Sequence, residues 1–269
     1  MTDKMQFHSR WVLVTGASSG LGLEMATQLA TRHHANLILV ARREAQLLAL
    51  KEQLEQSAGV QCRVIAADLS KPADVERVYA ETIAVGDIYG VILNAGVTYF
   101  GRHTDMDWAA FQNMLAINVT SVIRLLTLFT PYLIDKNQGG GMMVVSSMAG
   151  LLPVPYQSAY AGTKAFVTNF SQSLAQELHN ENVSITVFSP GGIDTEMTQG
   201  SNLRHFENTP FLQSVQSCAT DGIAALQARQ TLAVPGLLNK QQLFLTRLAP
   251  RKLIGFMTRK AYERVLDKA

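Results

Sequence analysis

Short apolar runs alternate with longer amphipathic stretches along most of the 269 residues. "RWVLVTG" (10–16), "ANLILVA" (35–41), "VQCRVIAAD" (60–68), "IYGVILNAG" (88–96), "GMMVVSSMAG" (141–150) and "VSITVFSPGG" (183–192) read as strands. Between them, "LEMATQLATRH", "REAQLLALKEQLEQS" (43–57) and "PADVERVYAETIA" read as helices, the last opened by proline. "DWAAFQNMLAINVTSVIRLLTLFTPYLI" (107–134) and "YAGTKAFVTNFSQSLAQELH" (160–179) continue as long helices. The strands lack strict polar–apolar alternation, as parallel strands do when helices cover both their faces. The repeated β-α pattern predicts an α/β fold with a single doubly wound parallel sheet and helices on both faces. No linker or repeat interrupts it, so a single domain over 1–269 is expected, with a core over 10–235 and a helical extension over 236–269. Periodicity lapses from Pro190 to Pro210, and a loop of that length reads as a substrate lid bearing Phe206, with Phe211 and Leu212 beside it.

Candidate chemistry begins at "VTGASSGLG", between the first strand and first helix. Glycines 16, 20 and 22 let the chain turn tightly and bring backbone N–H groups and a helix N-terminus against a phosphate. The spacing is neither G-x-G-x-x-G nor a phosphate loop, and the missing lysine disfavours an ATPase. At the end of the second strand, an acid would favour NAD(H) through the adenosine ribose, whereas arginine accommodates a 2′-phosphate. The sequence there is "LILVARRE", with Arg42 and Arg43. Arginine clamps phosphate with paired charge-assisted bonds, and cations are poorly placed at a helix N-terminus without an anion. NADP(H) is therefore preferred over NAD(H); the plainer reading leaves both arginines solvated at the helix start.

A second constellation is "LLPVPYQSAYAGTK" (151–164), with Tyr156, Ser158, Tyr160 and Lys164, preceded by Ser146 and Ser147. Tyr160 and Lys164 are one helical turn apart and share a face. An ammonium beside a phenol is expected to lower its pKa from about 10 toward working pH. Tyr156, after Pro155, is expected to line or pack on a pocket, and Ser158 to cap the helix.

With "TGASSGLG", "NAG" (94–96), Asn118, "SS" (146–147), "YAGTK" (160–164) and "PGGIDT" (190–195) in this order, residues 10–235 resemble the short-chain dehydrogenase/reductase family. The resemblance implies that Tyr160 passes its proton to a substrate carbonyl as hydride arrives from a nicotinamide. It implies that Lys164 also holds the ribose, and that Ser147, thirteen residues before the tyrosine, bonds the carbonyl oxygen. Asn118 would kink its helix and anchor a water relay to the lysine. Gly16, Ser18, Ser19, Gly20, Leu21 and Gly22 would form the pyrophosphate and ribose turn, Asp68 would take the adenine amino group, and Leu69 would pack on the ring. Asn94, Ala95 and Gly96 would flank the adenosine ribose, and Pro190, Gly191, Ile193 and Thr195 would face the nicotinamide. Ser19 stands where one branch of the family has a basic residue, so the cofactor preference rests on Arg42 and Arg43. The implied activity is interconversion of a carbonyl and an alcohol on a small-molecule substrate. The apolar residues Leu151, Leu152, Val154, Pro155 and Tyr156 mildly favour a hydrophobic one. Enoyl reduction or isomerisation on the same scaffold, and a non-catalytic dinucleotide sensor, are the rivals. A homodimer or homotetramer through 107–134 and 160–179 is implied by the resemblance alone.

Composition narrows the setting. A net charge of +2 argues against nucleic-acid binding. Cys62 and Cys218 match no metal or redox spacing and read as free core thiols of a cytoplasmic protein. No signal peptide and no spanning helix is expected from the apolar runs. Residues 247–269 stand apart: seven Lys/Arg against two acids give +5, leaving −3 for 1–246. Leu253, Met257, Ala261 and Val265 form a four-residue stripe there. Two readings stay open: a terminal helix packed on its own domain or a neighbouring subunit, and a basic amphipathic helix on a membrane surface.

Overall fold

The computed structural model describes residues 3–193, 212–248 and 250–266. Its main sheet is built from β1 (Trp11–Thr15), β2 (Asn36–Ala41), β3 (Cys62–Ala66), β4 (Ile88–Leu93), β5 (Gly141–Val145), β6 (Ser184–Phe188) and, in chain order after two short strands, β9 (Leu232–Ala233). The order is β3-β2-β1-β4-β5-β6-β9, with every pairing parallel. β7 (Gly192–Ile193) and β8 (Leu212–Gln213) form a separate two-stranded pair. The seventh strand of the main sheet pairs over two residues, too short to register as a periodic run.

Helices α1 (Gly20–His33), α2 (Glu44–Ala58) and α7 (Val215–Gln227) cover one face of the sheet. The other face is covered by α3 (Pro72–Val85), α5 (Ser121–Lys136) and α6 (Ser158–Glu177). Successive strand residues feed opposite layers: Val12 and Val14 face Met25 and Leu29, whereas Leu13 between them faces the layer of Leu125 and Phe129. With both faces buried, both alternations are apolar, which is why no period-two pattern is visible in the sequence.

α4 (Trp108–Leu115) runs into α5 through a π-helical segment, Ala116–Thr120, that contains Asn118. The continuous span Trp108–Lys136 is long and apolar enough to cross a membrane by length and composition, which the sequence reading did not anticipate. Its Leu125, Phe129 and Leu133 are nevertheless buried against the sheet. Ser158 is the first residue of α6 and Gln157 the cap, without a side-chain bond, so the expectation that Ser158 caps the helix is corrected by one position. After β9, α8 (Leu237–Leu248) and α9 (Arg251–Leu266) complete the chain. Chain order reverses between the adjacent strands β1 and β4, and a doubly wound sheet opens its crevice beyond the C-terminal ends of the strands at that point. The lid expected over 190–210, with Phe206, Phe211 and Thr195, lies outside the described residues from 194 onward, and nothing is described of the Leu212 side chain.

Candidate active site

The crevice is a cleft of about 810 Å³ that takes in both constellations found in the sequence. At one end Gly16 and Gly20 adopt left-handed φ values of +69° and +54°, which turn the chain sharply from β1 into α1. Gly16, Ser18, Ser19, Gly20 and Leu21 line the cleft; Gly22 does not. A Cβ on Gly22 would stand 2.3 Å from the Gly16 carbonyl oxygen and 2.4 Å from Asn94 Nδ2. Gly22 therefore lets α1 close on its own turn, a packing role in place of the cofactor contact expected of it.

Thr15, not singled out in the sequence, holds this turn to β4: its hydroxyl accepts from the amides of Asn94 and Ala95 at 3.0 and 3.1 Å. Asn94 Nδ2 donates to the Thr15 carbonyl at 3.0 Å, so its side chain faces the glycine turn. Asn94, Ala95 and Gly96 line the cleft beside it.

Arg42, Arg43, Asp68 and Leu69 form the outer wall. Arg43 reaches back across the turn, its Nε and Nη2 lying 3.2 and 3.1 Å from Ser18 Oγ. Two guanidinium groups beside a hydroxyl and a helix N-terminus make a donor set suited to a phosphate. Asp68 Oδ1 accepts from the Ser70 hydroxyl and amide at 2.8 and 3.1 Å. Partial burial pushes the Asp68 carboxyl up, but those bonds and the charges of Arg42 and Lys71 outweigh it and hold the group below the ordinary carboxylate range.

Ser147, Tyr160 and Lys164 line the inner end. Lys164 Nζ donates to the Val145 carbonyl at 2.8 Å and sits 5.8 Å from the Tyr160 ring centre. Burial lowers the ammonium to about 8. Burial likewise raises the Tyr160 hydroxyl above the ordinary phenol value, while the Ser147 hydroxyl beside it pulls the other way. The expected lowering of the tyrosine by its lysine is thus corrected for the chain alone: desolvation penalises the phenolate and the ammonium together.

The two serines separate. Ser146 Oγ is 3.1 Å from the Lys164 carbonyl and 2.6 Å from Thr168 Oγ1, so it ties β5 to α6. Ser147 Oγ accepts from the Ala149 amide at 3.1 Å and lies at the tyrosine. Asn118 is fully buried, with both of its amide hydrogens used. Its Nδ2 donates to the Val97 carbonyl at 2.8 Å and to Thr163 Oγ1 at 3.1 Å, and its Oδ1 accepts from the Val97 amide at 2.9 Å. The π segment gives Asn118 this position one helix away from Lys164, and a Cβ on Gly96 would lie 3.3 Å from Asn118 Oδ1 and 3.4 Å from Lys164 Nζ.

Pro190, Gly191 and Ile193 close the far wall, together with groups from the C-terminal helices that the sequence reading missed. A Cβ on Gly191 would lie 2.7 Å from Asn239 Oδ1, so glycine is what lets the first turn of α8 approach. Asn239, 7% exposed, donates to the Pro235 carbonyl at 2.9 Å. Gln242, Met257, Thr258 and Tyr262 add to the wall, and Tyr262 meets Phe100 edge-on at 5.2 Å. The inward face of α9 is thus Ile254, Thr258 and Tyr262, and not the four-residue stripe of the sequence; Leu253 and Met257 of that stripe are 49% and 62% exposed, so of the two readings left open, its packing on this domain is the one corrected. The side chains of Ala261 and Val265, the rest of that stripe, lie outside the described residues. Leu152 and Val154 line the cleft, but Tyr156 does not; its hydroxyl is engaged by Glu263 of α9.

Fold and cleft together define a Rossmann-type protein with a tyrosine–lysine–serine site. The family model for short chain dehydrogenases matches residues 10–205. The chain belongs to this oxidoreductase family. It is 37% identical over 191 residues to an 11-beta-hydroxysteroid dehydrogenase of Pinus massoniana, covering 70% of this chain and 52% of that one. It is 34% identical over 194 residues to an uncharacterized oxidoreductase of Myxococcus xanthus, covering 72% and 76%. The chain spans about half the length of the first of these relatives. Among solved structures, a short-chain dehydrogenase from Sphingobium yanoikuyae in complex with NADPH superposes with TM-score 0.78 at 27% identity, covering 90% of this chain and 96% of that one.

Proposed function

We propose that this protein is an NADP(H)-dependent oxidoreductase that interconverts a carbonyl and an alcohol on an apolar ketone, aldehyde or secondary alcohol. The observation that carries the reading is one cleft with Arg42 and Arg43 at one end and Ser147, Tyr160 and Lys164 at the other. A nicotinamide dinucleotide, when bound, supplies or accepts the hydride. The residues present fit it: left-handed glycines and the start of α1 for the pyrophosphate, Arg42 and Arg43 for a 2′-phosphate, and Lys164 for ribose hydroxyls.

Tyr160 holds a proton at its hydroxyl, kept there by burial, and delivers it to a carbonyl oxygen or takes it from an alcohol. Ser147 fixes that oxygen by a hydrogen bond. Lys164, whose ammonium burial lowers to about 8, is oriented by the Val145 carbonyl. Asn118 braces the segment that faces the lysine through Val97. The NADPH bound by the Sphingobium relative favours the phosphorylated cofactor, as do the two arginines; a Burkholderia phymatum neighbour binds NAD, at 21% identity. The steroid dehydrogenase relatives favour a bulky apolar substrate.

The test is NADPH absorbance against a panel of apolar ketones and aldehydes. Turnover that falls by about 10² or more in Tyr160→Phe is expected. Tight NADPH binding with no turnover on any member overturns the enzyme reading in favour of a dinucleotide sensor.

A further inference from the structure

The two C-terminal helices turn an apolar side outward. Among the described residues, eleven large apolar side chains are exposed, and seven of them lie on α8 and α9. On α8 these are Leu237, Leu238, Phe244 and Leu245, two pairs each seven residues apart, which makes one stripe along the helix. Buried Asn239 marks the opposite side. On α9, Leu253, Phe256 and Met257 share the outward side, while Ile254 turns into the protein. A solvated helix would put polar residues where these stand.

Cations rim the same surface. Lys240, Lys252, Arg259 and Lys260 are exposed. Arg259 and Lys260 lie over the Phe256 ring at 5.5 and 4.8 Å from its centre. Residues 247–269 contribute +5 to a chain whose total is +2.

We infer that α8 and α9 dock on an anionic lipid surface, with the apolar stripes entering the headgroup region and the cations meeting lipid phosphates. An interfacial helix needs this combination of an apolar side and basic flanks. A second copy of this chain is the rival occupant. A two-fold contact through this face would bring together two copies of the same surface, rimmed by Lys240, Lys252, Arg259 and Lys260 with Glu263 the acid paired to Arg259, a like-charge arrangement that opposes association. An anionic bilayer complements the apolar side and the charge at once. The same helices supply Asn239, Gln242, Thr258 and Tyr262 to the cleft wall, and half-exposed Met257 belongs to both surfaces. Docking therefore brings the cleft to the lipid, where apolar carbonyls and alcohols partition. That consequence rests on the proposed oxidoreductase function; docking itself does not.

The experiment is flotation of the full chain with phosphatidylcholine vesicles, with and without phosphatidylglycerol. The chain is expected to float with the anionic vesicles only, and less at raised salt. Phe244→Ser with Leu245→Ser should abolish flotation. Lys252→Gln with Lys260→Gln should lower the partition coefficient about thirtyfold, the loss of two surface cations. All four positions are exposed, and unchanged melting curves show that each variant is folded. Absence of flotation, equal flotation without phosphatidylglycerol, or unaltered flotation of both double variants overturns the inference. Self-association that Phe244→Ser with Leu245→Ser abolishes, in the absence of flotation, overturns it in favour of a second copy. Flotation needs neither cofactor nor turnover, so it fails or succeeds independently of the enzyme assay.

Discussion

The Tyr156 hydroxyl donates a hydrogen bond to Glu263 Oε1 at 3.1 Å, joining the loop before α6 to the last helix across 107 residues of sequence. Tyr156 is held at φ +65°, a left-handed conformation that a bulky residue seldom adopts, and its carbonyl accepts from the Gly101 amide at 2.9 Å. Strain at this position persists because contacts on both sides over-determine it. One tyrosine therefore joins the loop before α6 to α9, and α9 keeps Thr258 and Tyr262 on the cleft wall. Tyr156→Phe removes this hydrogen bond and should lower the melting temperature slightly. It should raise KM severalfold with kcat nearly kept, since no reacting group is touched. Kinetics identical to wild type would mean that α9 is held without this bond.

Tyr160→Phe removes the hydroxyl while leaving the ring and the Lys164–Val145 bond in place. A loss of about 10² to 10⁴ in kcat is expected for a general acid. NADPH affinity by fluorescence titration should stay within about twofold, since only one of several cofactor-facing groups changes. A phenylalanine variant that keeps kcat within about tenfold of wild type would sink the mechanism.

Arg43 contacts Ser18, whereas Arg42 acts on Asp68 by its charge. Arg42→Ala and Arg43→Ala should each weaken NADPH by roughly tenfold or more, the scale of a charge-assisted bond to phosphate, and NADH much less. Calorimetric titration of both cofactors measures the ratio. Equal losses for the two would remove the argument for a 2′-phosphate site.

Burial lowers the Lys164 ammonium from the ordinary 10.5 to about 8. Without added dinucleotide, the unfolded chain then holds more protons than the folded one between pH 8 and 10.5, so this group's contribution to stability rises with pH. Its destabilisation is fully present below pH 8 and gone above 10.5, about 3 kcal/mol in all. Cys62 and Cys218, pushed from 9.0 up to about 12 by burial, tilt the curve the other way above pH 9. Subtracting the urea stability of Lys164→Met from that of wild type isolates the lysine. The difference should climb from pH 8 upward, and a flat difference would mean that the ammonium is well solvated.

The parallel sheet, its helices and the gathering of two constellations were legible in the chain because each rests on local order. Val12, Leu13 and Val14 announce a strand buried on both sides, and the four-residue step from Tyr160 to Lys164 sets one helix face wherever the helix lies. Gly16 and Gly20 sit at left-handed turns that few other residues accept. The structure gives the two adjacent serines different partners, Lys164 and Thr168 for Ser146 and the Ala149 amide for Ser147, a separation that the sequence does not encode.

What the sequence left open depends on which surfaces meet. Thr15, Asn239 and Tyr262 carry no local signature, since their positions are defined by partners far away along the chain: β4 for Thr15, Gly191 for Asn239 and Phe100 for Tyr262. The rotation of α9 that buries Ile254 and exposes Leu253 is likewise set by the wall it packs on, because apolar residues occupy both sides of that helix. Even the sign of the shift at Tyr160 was decided by burial, a property of the assembled fold, rather than by the charge one turn away. The sequence alone determined the architecture and nominated the candidate reacting groups; tertiary packing decided how the cleft is walled, which helix face looks outward, and how each titratable group is poised, because those follow from contacts between segments that local pattern does not encode.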